Sequence, residues 1–193
     1  MTVKIPERMA HLKVDMRGYA IPYGVVIDND GTPHFAINDH IIREQSIARD
    51  LCGICGHKLF RGRWFVGGSK SAFHEHGAYI DPPMHSECAH YALEVCPYLA
   101  APKYAREIGF TKAKAAGAAL GNHAMFVDPT MIPGRPEGEV FVALMATGQK
   151  HDRVSGYLIP RRPYLKVEFW RHGEQLPDEE GKRLIAAATE AET

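Results

Sequence analysis

The sequence predicts an α+β fold in which an antiparallel sheet packs against helices, and three observations favour it. Short β-branched runs flank turn-forming residues near the amino terminus, which is typical of hairpins. Segments with apolar residues at helical spacing begin at capping residues and end at glycine or proline. A strand-like alternation runs from Tyr164 to Trp170. With 193 residues, we expect the chain to form a single domain over positions 1–193.

The composition limits the classes of function. Hydrophobic residues make up 45% and charged residues 24% of the chain, as in ordinary globular proteins. Lys and Arg together number 23, as do Asp and Glu, so the net charge gives no support for nucleic-acid binding. Charges near the amino terminus argue against a signal peptide, and no apolar run is long enough for a membrane span. We therefore expect a cytoplasmic protein that does not enter membranes.

The first predicted elements are a hairpin and a helix. Residues 23–27 and 33–37 are the two strands, because β-branched and apolar residues lie on either side of an Asp-Asn-Asp-Gly turn. Asn38 or Asp39 then caps a helix over about residues 40–50.

A second hairpin, a strand and a longer helix are predicted in the middle of the chain. Residues 58–60 and 64–66 are short apolar segments about a glycine turn, and 73–80 is a further strand. Asp81 followed by two prolines predicts a helix start, because proline suits a position whose amide has no partner. We expect this helix to end near Cys96, since the next residue is proline.

The remaining predicted elements are two short helices, a loop, a buried strand, a half-covered strand and a last helix. They lie at residues 102–108, 111–120, 128–138, 139–147 and 164–170, and from Asp178 onward. On the half-covered strand, Phe169 and Trp170 are expected on opposite faces. We expect the first hairpin and the carboxy-terminal strands to share one sheet.

Two short pairs of metal-binding residues lie between these elements. The turn Cys52-Gly-Ile-Cys55-Gly supplies two thiolates from one loop, and His85 and Cys88 are three residues apart at the start of a predicted helix. Zinc prefers four such ligands in a tetrahedron. The sequence therefore predicts one Zn²⁺ ion bound by Cys52, Cys55, His85 and Cys88. The ion is expected to be structural, because four protein ligands leave no position for a substrate.

Other interpretations of the cysteines are weaker. A redox Cys-x-x-Cys normally opens a helix in a thioredoxin-like unit, whereas this one precedes a predicted hairpin. Cys96 lies eight residues after Cys88, which is about 12 Å along a helix, too far for both thiolates to share one zinc ion. We expect Cys96 to be a buried thiol.

Two further clusters have both a functional and a structural interpretation. His74-Glu-His76 would place two imidazoles on one side of a strand, as in a second metal or acid–base site, but a polar surface strand also explains them. Arg61, Arg63 and Lys70 could bind phosphates, but a solvated hairpin tip explains these residues as well.

The order of cysteine turn, hairpin and ligand-bearing helix over residues 50–97 resembles the treble-clef zinc finger. The wider motif set is similar to a group of uncharacterised bacterial and phage-associated proteins. The matching stretches are Arg17-Gly-Tyr-Ala-Ile-Pro22, Cys52-Gly-Ile-Cys55-Gly56, Pro82-Pro-Met-His85-Ser-Glu-Cys88-Ala89, Cys96-Pro-Tyr-Leu99 and Val167-Glu-Phe-Trp170. The resemblance implies that the zinc module, at about residues 50–100, and its flanking strands form one unit. No established activity follows from this resemblance.

Two hypotheses about function follow. The first is a small zinc-stabilised binding or accessory protein whose partner is a protein or a nucleic acid. The alternative is a metal-dependent nuclease or hydrolase, because treble-clef frames also hold such sites. The His-Asx-His pattern usual in those nucleases is missing, so His74 and His76 would have to replace it.

Overall fold

The structure, a computed structural model, describes residues 4–68, 71–72, 77–100, 124–126 and 140–190. Within these residues, helices accompany strands that pair in antiparallel sheets, which confirms the predicted α+β class. Several predictions concern positions outside the described residues. They are Lys70, His74, His76, residues 73–76 of the strand at 73–80, the helices at 102–108 and 111–120, and the loop at 128–138.

The predicted amino-terminal hairpin forms. Strand β1 (Val25–Ile27) pairs with β2 (Pro33–Asp39), and the Asp28 carboxylate accepts a hydrogen bond of 2.8 Å from the Thr32 amide in the turn. A third strand, β4 (Ala124–Phe126), pairs with the other edge of β2. These strands make one small sheet in the order β1-β2-β4.

Helix α1 (His40–Arg49) follows β2 directly, as predicted. The Asp39 carboxylate caps it by accepting a 3.0 Å hydrogen bond from the Ile42 amide. The helix ends at Asp50, whose φ of 53° is left-handed and turns the chain toward Cys52.

The larger sheet has four antiparallel strands in the order β3-β5-β8-β9. Its members are β3 (Arg63–Gly68), β5 (Phe141–Ala146), β8 (Lys166–Arg171) and β9 (Glu174–Leu176). The prediction that the first hairpin joins the carboxy-terminal strands is therefore wrong. The apolar strand β5 instead pairs with β3 on one edge and with β8 on the other, because the backbone groups of a buried strand need hydrogen-bond partners along both edges. A separate two-stranded sheet contains β6 (Gln149–His151) and β7 (Leu158–Pro160).

The predicted hairpin between residues 58–60 and 64–66 is also wrong. Lys58 bridges back to Leu51, while residues 64–66 belong to β3 and pair with β5. The short apolar segment at residues 64–66 indicated a strand in the right place, but it carried no information about the partner strand.

The middle helix, α2 (Ser86–Val95), begins five residues after Asp81, where a helix start was predicted. The reason is a pair of backbone hydrogen bonds, 2.9 and 2.8 Å long, that hold Met84 against Trp64 in an antiparallel bridge. Residues at this bridge are extended and cannot start a helix. The helix ends before Cys96, as predicted, and a short helix α3 (Pro97–Ala100) follows.

The last helix, α4 (Asp178–Glu190), packs on the sheet through a glycine. A Cβ atom at Gly181 would lie only 2.2 Å from the Phe169 ring, so only glycine permits this close approach. A 3₁₀ turn at Glu7–Met9 buries Met9 near the other end of the chain.

The larger sheet separates two hydrophobic cores. We define the first core by Cys52, Cys55, Cys88, Trp64, Met84, Tyr91 and Trp170 with their neighbours, and the second core by Phe65, Tyr79, Val142, Leu144, Leu158 and Phe169 with theirs. Trp170 and Phe169 face opposite cores, as predicted from the alternation. However, residues 168–170 are buried on both faces, so the expectation that β8 is half-covered is wrong.

Candidate metal centre

The two cysteines of the Cys-x-x-Cys turn are held by a narrow backbone loop. The Cys52 amide donates to the His57 carbonyl at 2.8 Å, and the Leu59 amide donates to the Asp50 carbonyl at 2.7 Å. Gly56 closes the turn with a φ of 72°, and its amide donates to the Cys52 carbonyl. A Cβ atom at Gly56 would also lie 2.8 Å from the Tyr23 ring. Both the backbone conformation and the packing therefore require glycine there.

The other two candidate ligands lie at the amino-terminal end of α2. His85 is the N-cap residue with an extended backbone, and Cys88 lies in the first turn of the helix. The prediction that both residues lie on one face of a helix is therefore only partly right, because Cys88 lies in the helix but His85 precedes it. The bridge between Met84 and Trp64 fixes the position of His85 relative to the cysteine turn.

The structure brings the four predicted ligands together. One ligand atom from each of Cys52, Cys55, His85 and Cys88 lies within 4.8 Å of every other, so these residues could bind a metal ion. The Cys55 Sγ atom is 3.4 Å from His85 Nδ1. Zinc bonds of about 2.3 Å to sulfur and 2.0 Å to nitrogen at a tetrahedral angle place these atoms roughly 3.5 Å apart. The spacing and the soft donor set therefore fit a zinc ion.

Hydrogen bonds outside the cluster orient the imidazole ring. His85 Nε2 lies 3.1 Å from the carbonyl oxygen of Lys58, which can only accept, so Nε2 carries the proton. Nδ1 then has its lone pair free and faces Cys55. This is the arrangement that a metal-binding histidine requires, with the second ring nitrogen held by a carbonyl.

The three buried thiols do not ionise independently of one another. Hydrogen bonding to Cys52 raises the pKa of Cys55 to about 11, and hydrogen bonds to Cys52 and Cys55 with burial raise the pKa of Cys88. Burial opposes ionisation of Cys52, but hydrogen bonds from Cys55 and Cys88 lower its pKa. Without a cation the cluster thus favours a single thiolate. A bound metal ion would be needed to ionise all three cysteines.

The amino-terminal segment covers the cysteine turn, a role that the sequence analysis missed. The Tyr23 amide donates to the Ile54 carbonyl at 2.8 Å, and His11 Nε2 donates to the Cys55 carbonyl at 3.0 Å. The Ala20 amide donates to the Tyr91 hydroxyl on α2 at 3.1 Å. These contacts bury Cys52, Cys55 and Cys88 almost completely.

A buried carboxylate next to the cluster was missed as well. Glu168 on β8 is only 2% exposed and accepts hydrogen bonds from His90 at 2.7 Å and from the Trp170 indole at 3.2 Å. Lys166 Nζ is 2.6 Å away. Burial opposes its charge, but Lys166, His90 and Trp170 together lower the pKa of Glu168. Because His90 lies on α2, this network fixes the ligand-bearing helix to the sheet.

The other predicted site residues do not form a cluster in the described part of the chain. Arg61 is exposed, but Arg63 is half-buried and donates to Asp50 and Gln149. Arg43 is 3% exposed and donates to the Ile80 carbonyl at 2.7 Å, so it does not extend a basic surface. Cys96 lies at the other end of α2 and is not among the four residues brought together.

Comparisons with known proteins give no information about this site, so its interpretation rests on its geometry. Neither a protein-family model, nor a curated protein, nor a solved structure matches the chain. Among the described residues, no helix combines the length and apolar character needed to cross a bilayer.

Proposed function

We propose that Cys52, Cys55, His85 and Cys88 bind one structural zinc ion and that the chain is a zinc-stabilised binding or accessory protein. The observation that carries this proposal is the convergence of four soft ligand atoms within 4.8 Å in a buried site. These ligands come from two separate segments of the chain, and one bound ion would hold them together.

A structural role is favoured over a catalytic one by the closure of the site. A catalytic zinc ion keeps one position for water or substrate, whereas three cysteines and a histidine fill a tetrahedron. Cys52 and Cys88 are 0% exposed and Cys55 is 1% exposed, so a substrate has no direct approach through the thiolates. The nuclease or hydrolase alternative would need a different site, and its candidates His74 and His76 lie outside the described residues.

The burial and hydrogen bonding of the basic side chains favour a partner other than nucleic acid. A phosphate-binding surface needs several free cationic groups on one face. Of the basic residues predicted to form such a surface, the structure describes Arg61 and Arg63. Arg63 is held by Asp50 and Gln149, and Arg43 is buried, so neither joins Arg61 as a free charge. We therefore favour a protein or small-molecule partner.

Metal counting tests the zinc proposal. Inductively coupled plasma mass spectrometry should find one zinc ion per chain in the purified protein. The Cys88→Ser variant should contain no zinc. Cys96→Ser is the matched control, since it removes a thiol from the same helix and should keep the zinc. A folded wild-type protein without bound metal, or equal zinc loss in both variants, would overturn the proposal.

A further inference from the structure

A pocket of about 210 Å³ lies on the side of α2 that faces the amino-terminal segment. Aromatic and aliphatic side chains form most of its wall, among them Tyr19, Phe35, Ile54, Met84, Tyr91 and Val95. An apolar cavity of about 150 Å³ can bind benzene, so this one suits an apolar body of roughly eight to ten non-hydrogen atoms.

Among the described residues that line the pocket, Asp81 is the only charged one, and polar groups of Asn38, Tyr19, Tyr91 and Tyr98 accompany it. Asn38 Nδ2 donates to Asp81 Oδ1 at 2.7 Å, which orients the carboxylate and leaves Oδ2 for another donor. Asp81 remains accessible to solvent, yet its carboxyl lies in a recess. Loss of hydration there raises its pKa, while Asn38 and Arg43 act in the opposite direction.

The charges around the pocket leave one negative group. Arg17 lies against the Phe35 ring but is paired with Asp15 at 2.7 Å, and Arg43 is paired with Glu44. Among the described residues, no basic side chain forms an ion pair with Asp81. A bound cation would therefore complement the exposed Asp81 carboxylate through a charge-assisted hydrogen bond.

We propose that this pocket binds a small amphipathic cation, an aryl- or alkylammonium molecule whose apolar body fills the cavity while its ammonium group contacts Asp81. This inference names the class of ligand for the binding role proposed above. It rests on the zinc proposal in one respect, which is the position of two walls of the pocket. Ile54 of the cysteine turn and Ala92 of α2 both line the pocket, so the metal would hold two of its walls.

Methyl NMR of the full chain with 2-phenylethylamine tests the proposal. Met9 and Met84 line the pocket, so their methyl signals should shift in a saturable manner. Met145, which packs near Gly62 away from the pocket, is the internal control and should not shift. The neutral 2-phenylethanol and the anionic phenylacetate have similar bodies and should bind at least about tenfold more weakly, as expected for loss of a charge-assisted hydrogen bond.

Two variants separate the charge from the cavity. Asp81→Asn should remove the preference for the amine over the alcohol, and Ala92→Phe should fill the cavity and weaken binding of both. Circular dichroism and zinc content, measured on the same samples, show whether each variant is folded. Absence of saturable shifts in Met9 and Met84, an amine no stronger than the alcohol, or an unchanged preference in Asp81→Asn would overturn the inference. Protein that is purified without any metal and still binds the amine would overturn the zinc proposal alone.

Discussion

The two faces of the four-stranded sheet bury side chains of different chemistry. The first core contains three cysteines, and beside it lie His85 and the Glu168–His90 pair, all of which need partners at fixed distances and angles. The second core consists mainly of apolar side chains and includes the Tyr79 hydroxyl, which has no hydrogen-bond partner among the described residues. The first face is thus held by directional contacts and the second by close packing, which depends on volume alone.

Metal removal should have the largest effect and should be confined at first to one face. Structural zinc contributes about 10–16 kcal/mol of apparent binding free energy in small zinc domains, more than any single side chain. With a chelator, hydrogen exchange should accelerate first in residues 52–59 and in α2, while β5 and β8 stay protected. Uniform loss of protection would show that the two faces unfold as one unit.

Truncation in the second core should come next in size. Phe65 is 1% exposed and its ring lies 5.4 Å from that of Tyr79, so Phe65→Ala should lower the free energy of unfolding by about 3–5 kcal/mol. Zinc content should not change. Leu165→Ala, at a side chain that is 54% exposed, is the control and should cost less than about 0.5 kcal/mol. Zinc loss in Phe65→Ala would contradict the separation of the faces.

Glu168→Gln should have a smaller, pH-dependent effect. Since the pKa of Glu168 is lowered in the folded protein, the carboxylate stabilises the fold above its ordinary pKa, and this stability is lost as the pH falls through the lowered value. Urea unfolding should therefore show a cost of about 1–3 kcal/mol at neutral pH that shrinks in acid.

Release of zinc in acid affects the wild type and Glu168→Gln alike, so it cancels in the difference between them. Glu180→Gln, at an exposed carboxylate 3.8 Å from Arg171, provides the control and should show little change at any pH. A pH-independent difference for Glu168→Gln would indicate that the charge itself has no role.

The smallest expected effect concerns the cysteine turn. Gly56→Ala combines a positive φ with a clash against the Tyr23 ring, and should cost about 1–2 kcal/mol or more. Gly31→Ala also has a positive φ, 92°, but nothing lies within 4 Å of the added methyl group. The two variants differ in their contact with the Tyr23 ring. The difference between their free energies of unfolding, measured by thermal unfolding, therefore gives the contribution of this contact. Equal costs would mean that the ring moves aside freely.

The two halves of the candidate metal cluster were predictable because each pair of residues is local in the sequence. Cys52 with Cys55, and His85 with Cys88, have spacings that short backbone geometry converts directly into ligand positions. Faces of strands were predictable for the same reason, since alternation depends only on the residue and its neighbours, as with Phe169 and Trp170.

Partners distant in sequence were not predictable. The alternation of β3 and β5 does not encode which strand lies beside which, and the bridge from Trp64 to Met84 overrode the helix-start signal at Asp81. Glu168 and His90 are 78 residues apart, and neither lies in a motif that indicates the other. These contacts depend on the assembled fold.

The position of β3 within the larger sheet determines what can be cut from this protein. A peptide of residues 50–100 would retain the four ligands but lose β5, whose backbone satisfies one edge of β3 from Arg63 to Gly68. Such a peptide would expose an unpaired strand edge together with Phe65, a combination that promotes association between chains. The stretch that carries the four candidate ligands is therefore not a portable module, and grafting it into another protein would require the carboxy-terminal strands as well.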